Sequence, residues 1–178
     1  MAEAVIVATA RSPIGRANKG SLADVRPDDL STQVVTALLD QVPQVPRDEI
    51  DDLLMGCGQP AGEQGFNVAR VVAVLAGLTS CPGVTVNRYC SSSLQTIRMA
   101  AHADRAGEGD VFAAGGVEAV SRFGNGMGDG GPPNEKFKDA RSRTKLRADG
   151  GQPKWTPPSG LPDVYIAMGQ TAENVVEA

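Results

Sequence analysis

Cys90 stands where a β-branched apolar run, PGVTVNR (82–88), gives way to CSSSLQTIRMAAHADRAG (90–107), which has the composition of a helix. A cysteine at such a junction faces the unpaired backbone N–H groups of the first helical turn and the positive end of the helix dipole. Both favour the thiolate, the form in which cysteine attacks a carbonyl carbon. Ser91, Ser92 and Ser93 follow it and are small enough to let an acyl group and its carrier approach the sulfur. These residues alone leave two readings open: a nucleophile, or a small buried hydrophobe with no chemistry.

The other candidates are weaker. His102, the only histidine, lies twelve residues along the same helix. At 1.5 Å per residue that is roughly 18 Å, too remote for a base acting on Cys90. Cys57 falls at a strand end and Cys81 in a turn before Pro82, and the three cysteines have neither a disulfide framework nor a metal-binding spacing. The basic run from Lys136 to Arg147 reads as a solvated loop or an oligomer contact before it reads as a phosphate contact.

The elements that must position Cys90 follow from periodicity. EAVIVATA (3–10), DDLLMGC (51–57), PGVTVNR (82–88) and DVFAAGGVE (110–118) read as strands. A helix opens at Pro27 with Asp28 and Asp29 in its first turn, carries Leu30, Val34, Val35, Leu38 and Leu39, and stops before Pro43 and Pro46. A second helix, NVARVVAVLAGL (67–78), presents Val68, Val71, Val72 and Leu75 and stops near Gly77. Strand and helix alternate, so the fold class is α/β with mostly parallel strands and right-handed crossovers. After residue 119 the character changes. GNGMGDGGPP (124–133) and the basic run lack core periodicity, and only DVYIAMGQTAENVVEA (163–178) returns to a helical pattern. The expected division is an α/β unit over 1–119 and an excursion over 120–178. The last pattern carries no stop signal, which marks the final residue as a truncation point.

The chain has 178 residues, enough for a hydrophobic core, and 17 basic against 21 acidic side chains give it a net charge of −4. That balance argues against a nucleic-acid partner. No apolar run approaches bilayer-spanning length, so no membrane partner is expected. The opening residues lack the basic and apolar regions of a secretory signal. A reduced, cytoplasmic protein is the simplest reading.

VNRYCSSSLQ (86–95) resembles the active-site segment of thiolases, usually VN-x-x-C-G-S-G-L-Q, while GGVEAVS (115–121) and MGQTAENV (168–175) are similar to two further blocks of that family. VIVATARSPIGR and GFNVARVVAVLAGL also match in type and order. The resemblance implies the N-terminal half of the five-layered αβαβα thiolase fold, together with the start of its loop domain. It implies an acyltransferase that joins two acyl-CoA molecules in a reversible Claisen condensation, or cleaves a 3-oxoacyl-CoA with CoA. Cys90 matches the residue that carries the acyl group, and Met168 a residue lining the acyl pocket. Coenzyme A thioesters are then the substrates, no further cofactor is called for, and homo-dimers or tetramers are expected.

Two departures qualify this. The glycines of C-G-S-G are Ser91 and Ser93 here, which puts acyl-chain preference in doubt, while Val120 for Met is a benign change of similar volume. The family's Asn-Glu-Ala-Phe, Gly-His-Pro and Cys-x-Gly-Gly-Gly motifs are absent, and with them the activating histidine and second cysteine. The missing C-terminal half is therefore an expected partner. By itself the chain should expose an apolar face, aggregate readily and fall short of a full catalytic cycle. The alternative is a catalytically silent thiolase-like module that binds CoA or another protein. A ketoacyl-synthase chemistry on the same fold fits the blocks around Cys90 and Met168 less well.

Overall fold

The computed structural model describes residues 3–151, 155 and 157–178, which gather into two compact units, Met1–Gly130 and Gly131–Ala178. The first is built on three parallel strands, β1 (Asp52–Gly56), β2 (Gly83–Val86) and β3 (Phe112–Gly116), in the order β2-β1-β3. Leu53 lies opposite Gly83 and Ala113, and Gly56 opposite Val86 and Gly116. Helices α1 (Pro27–Leu39), α2 (Val68–Leu75) and α3 (Ser92–Ala106) complete it.

The alternation of side chains along β1 assigns the layers. Leu53, Met55 and Cys57 enter a core with Val35 of α1 and with Val68, Ala69, Val72 and Ala73 of α2. Leu54 is buried outside that cluster, and the space above Gly56 is filled by the backbone of α3. Thr96, wholly buried in α3, aims its hydroxyl at the carbonyls of Ser93 (2.8 Å) and Gly115 (3.0 Å), tying this helix to β3.

Several expectations need correction. The segment 3–10 is not a strand, and Val5, Ile6 and Val7 are each more than 70% exposed. It has a strand's composition but no ladder partner among the described residues, and a strand without one leaves its backbone groups to water. α2 buries Val68, Ala69, Val72 and Ala73, so its inner face is turned by about one residue from the expected one, with Leu75 outside. Its small alanines allow close approach to the sheet, and bulk alone did not reveal the buried side. In α1 the buried residues are Pro27, Asp28, Ser31 and Val35, with Leu39 packed at the margin.

Residues 120–130 pack with the first unit, beyond the expected change of character at 119. Arg122 closes on Glu63 through two hydrogen bonds of 2.8 and 2.6 Å, and Arg26 reaches the same carboxylate at 3.2 Å. Hydrogen bonding from Arg122 holds the Glu63 carboxyl below the usual carboxylate range. A lowered folded value adds stability above the unfolded value of about 4.3, and that stability is lost as pH falls through the folded value. In Glu63→Gln the melting temperature should therefore fall less on acidification below about pH 5 than in the parent, with the curves furthest apart near neutrality. Curves that run parallel through an acid titration would contradict this.

In the second unit the basic run forms helix α4 (Lys138–Ala148), where a loop was expected, and α5 (Met168–Glu177) follows. Only Ala140 of α4 is buried, so no apolar stripe announced it. Local terms sustain it: Asp139 in the first turn, Lys145 and Arg147 in the last, and a Lys145–Asp149 ion pair of 2.7 Å. Arg147 pairs with Glu177 of α5 at 2.9 Å, and Phe137 meets Tyr165 edge-on at 5.6 Å. No helix among the described residues is long and apolar enough to cross a membrane.

Candidate active site

Cys90 sits in a tight 3-10 turn, Tyr89–Ser91, between β2 and α3, and it is exposed. The turn is fastened on both sides. Ser92 is buried; its hydroxyl donates to the Tyr89 carbonyl (2.6 Å) and accepts from the Arg88 N–H (2.8 Å). Asn87 accepts from the Tyr89 N–H (2.8 Å) and donates to the Gly58 carbonyl (3.2 Å). Tyr89 itself has φ 46°, the left-handed region that a side chain at Cβ disfavours by roughly 1–2 kcal/mol.

Beneath the turn, α3 starts directly on the ends of the strands. A Cβ at Gly56 would overlap the Ser92 carbonyl carbon and lie 2.5 Å from the Ser93 nitrogen. One at Gly116 would lie 2.9 Å from Ser93 Cβ and 3.0 Å from the Gly56 carbonyl oxygen. Two glycines at the carboxyl ends of adjacent parallel strands thus set the depth at which the helix following Cys90 begins, and clefts at such strand ends are where open α/β sheets bind ligands.

An open cavity of about 480 Å³ lies there, walled by Cys90, Ser93, Gly58, Val117, Glu118 and Phe123 among others, all in the first unit. Ser93 faces this space, whereas Ser91 is not among the residues that line it. Glu118 accepts from the Gly58 N–H (2.7 Å) and from the Gln64 amide (2.7 Å), with Cys57 Sγ at 4.0 Å. Gln64 is 2% exposed; its oxygen accepts from the Ala119 N–H (2.6 Å), and its nitrogen also reaches the Gln59 carbonyl (3.0 Å).

The three cysteines separate by environment. Burial, with the Glu118 charge second, pushes the Cys57 thiol up to about 11, and burial likewise raises Cys81. Both are buried, protonated at neutral pH and walled off from large electrophiles. Cys90 alone is exposed in a cavity. His102 is exposed on α3, and Met168 opens α5 in the second unit, 70% exposed. Glu118, Gln64 and Tyr89 were not expected at the site from the residues alone. The only advance signal was a carboxylate at the end of a buried strand, inside GGVEAVS.

Residues 4–178 match the family model described as thiolase, N-terminal domain. Over 99% of its length the chain is 42% identical to a 3-ketoacyl-CoA thiolase of Bacillus subtilis (strain 168), of which it covers 40%. It is also 42% identical to a beta-ketoadipyl-CoA thiolase of Acinetobacter baylyi, again over 99% of this chain and 43% of the relative. Among solved structures it is similar to the Bacillus anthracis acetyl-CoA acetyltransferase, with TM-score 0.57 and 37% identity over 63% of this chain and 28% of that one. The chain therefore spans about two fifths of the length of these curated relatives.

Proposed function

Because the chain belongs to the thiolase family through its N-terminal domain, we propose that Cys90 is the acyl-carrying nucleophile of a thiolase-type acyltransferase. The observation that carries this reading is the exposed Cys90 in the turn that leads into α3, in a cavity at the carboxyl ends of β1 and β3, while the other two cysteines are buried. The Cys90 thiolate attacks the thioester carbonyl of an acyl-CoA. The carbon–sulfur bond to CoA breaks, the CoA thiolate leaves and takes a proton, and the acyl group remains as a thioester on Cys90. The α-carbon of a second acyl-CoA, deprotonated, then attacks this thioester, releasing the Cys90 thiolate and a 3-oxoacyl-CoA. The reverse direction is thiolysis by CoA.

Cys90, the first turn of α3 and the Glu118–Gln64 wall are what this chain supplies. The base and the oxyanion donors belong, on this reading, to a segment with the three motifs missing here. Coenzyme A and its thioesters are the only small molecules it requires. Exposed apolar side chains on α3, Leu94 at 68% and Ile97 at 44%, support a covering partner and a homo-oligomer. Three unpaired cysteines support a reducing compartment such as the cytoplasm.

The test is peptide mapping after incubation with acetyl-CoA. An acetyl group is expected on the Cys90 peptide, absent from Cys90→Ala, with Cys57 and Cys81 unmodified. Acetylation no faster than that of a free thiol in a small peptide would favour the silent module instead.

A further inference from the structure

The glycine-rich loop GNGMGDGG (124–131) has no part in the proposed reaction, yet it delivers a carboxylate to the residue that precedes Cys90. Asp129 Oδ1 accepts from the Tyr89 hydroxyl at 3.1 Å, and Oδ2 accepts from the Gln59 side-chain amide at 2.6 Å. The Asp129 N–H donates back to Gln59 Oε1 at 3.2 Å, so these two residues are joined twice. The backbone of Gln59 is in turn held by Gln64, and through it the clasp is rooted in the core.

The loop can lie this close because it lacks side chains where it crosses the rim. A Cβ at Gly126, whose φ is 140°, would fall 2.8 Å from the Gly62 nitrogen, and one at Gly128 would fall 3.3 Å from Gln59 Oε1. At the other end of the clasp stands Tyr89, an aromatic residue at φ 46°. Such a backbone persists only where its surroundings over-determine it. The backbone ties through Asn87 and Ser92 are one set of restraints, and the hydroxyl on Asp129 is a restraint of a different kind, acting through the side chain.

We propose that Asp129 is a positioning residue: by clasping Tyr89 and Gln59 it fixes the left-handed turn that presents the Cys90 sulfur. This rests on Cys90 being the acylated residue. Asp129 touches neither the sulfur nor, on this proposal, the substrate. It acts through Tyr89, the residue that precedes Cys90 in the turn.

The test compares Tyr89→Phe, Asp129→Ala, Asp129→Asn and the Tyr89→Phe/Asp129→Ala double variant with the parent protein. Two quantities are read: amide hydrogen exchange over residues 87–92, and the rate at which acetyl-CoA acylates Cys90. Each of Tyr89→Phe and Asp129→Ala should speed that exchange about tenfold, as a local opening made easier. Each should slow acylation at saturating acetyl-CoA about tenfold, with the half-saturating concentration unchanged, because geometry and not binding is lost. The double variant should be no worse than Asp129→Ala alone, since that variant has already lost the bond to the Tyr89 hydroxyl. Asp129→Asn can give its carbonyl oxygen to the Gln59 amide and its NH₂ to the Tyr89 hydroxyl oxygen, which also accepts, and should recover most of the rate.

Exchange within twofold of the parent in both single variants overturns the proposal. So do effects that multiply in the double variant, and so does faster exchange with acylation unchanged. If the parent takes no acetyl group while exchange behaves as expected, the acylation reading fails and the clasp on the Cys90 turn stands. Tyr89 is 59% exposed and loses only a hydroxyl in Tyr89→Phe, so this variant keeps the test valid should Asp129→Ala not fold.

Discussion

Gly56→Ala should destabilise the first unit by about 3 kcal/mol and slow acylation of Cys90 by about a hundredfold, from the addition of one methyl group. The new Cβ would overlap the Ser92 carbonyl carbon, 2.5 Å from the Ser93 nitrogen and 2.7 Å from Ser92 Cβ. Two of these three are backbone atoms, which no rotamer change can move aside. Ordinary contact between such atoms is about 3.5 Å, so the start of α3 must lift by roughly an ångström. It is not free to do so. Ser92 is hydrogen-bonded to Arg88 and Tyr89, and Thr96 reaches the Gly115 carbonyl. The strand cannot retreat either, because the Gly56 carbonyl accepts from the Val117 N–H at 2.9 Å and Gly56 is paired on both sides. Gly77→Ala is the control. Its Cβ would enter open space, and only the φ of 80° opposes it, at a cost of about 1 kcal/mol. Urea unfolding and acetyl transfer to Cys90 measure both effects. A Gly56→Ala protein that unfolds at the parent's midpoint would refute the close approach of α3 to the sheet.

This contact also shows what the residues themselves could and could not disclose. The strands β1 to β3 and helices α1 to α3 were legible because apolar period and Gly/Pro punctuation are local signals, and the junction at Cys90 followed from them. The segment 3–10 reads as a strand because its composition reports the environment a strand wants. Pairing is decided elsewhere, and Val5, Ile6 and Val7 have no strand beside them among the described residues. The helix α4 was hidden for the opposite reason: charge and local capping hold it, and a search for an apolar stripe passes over it. The polar wall of the site was the least legible part. Glu118 meets Gly58 across 60 residues of chain, and Gln59 meets Asp129 across 70. No spacing rule reaches so far, because such pairs exist only once the sheet order β2-β1-β3 has brought the ends of β1 and β3 together.

The behaviour of that wall on substitution follows from its hydrogen-bond arithmetic. Glu118→Ala leaves the buried Gly58 N–H without an acceptor, and Gln64 with only the Gln59 carbonyl for its amide. An orphaned buried donor costs about 1–3 kcal/mol, and here the lost acceptor is charged, so a loss of about 2–3 kcal/mol is expected. The nearly isosteric Glu118→Gln should fare little better. A carboxylate offers an oxygen to each of its two donors, Gly58 N–H and Gln64 Nε2, whereas an amide must point its NH₂ at one of them. Turning the Gln64 amide over would relieve that clash, but its oxygen already accepts from the Ala119 N–H at 2.6 Å. Each arrangement leaves one donor facing another, so Glu118→Gln should lose about 2 kcal/mol, close to the alanine variant. Loss of the charge would let the Cys57 thiol descend somewhat from about 11, but burial, the larger cause, remains, and Cys57 should stay unreactive to iodoacetamide in the folded protein. Urea midpoints for the parent, Glu118→Gln and Glu118→Ala settle the question: a glutamine variant as stable as the parent would mean that the charge and both acceptor oxygens of Glu118 are dispensable. The expected order, with glutamine near alanine, would show that the cavity facing Cys90 is held by a carboxylate because no neutral side chain of the same shape can accept from both of its neighbours.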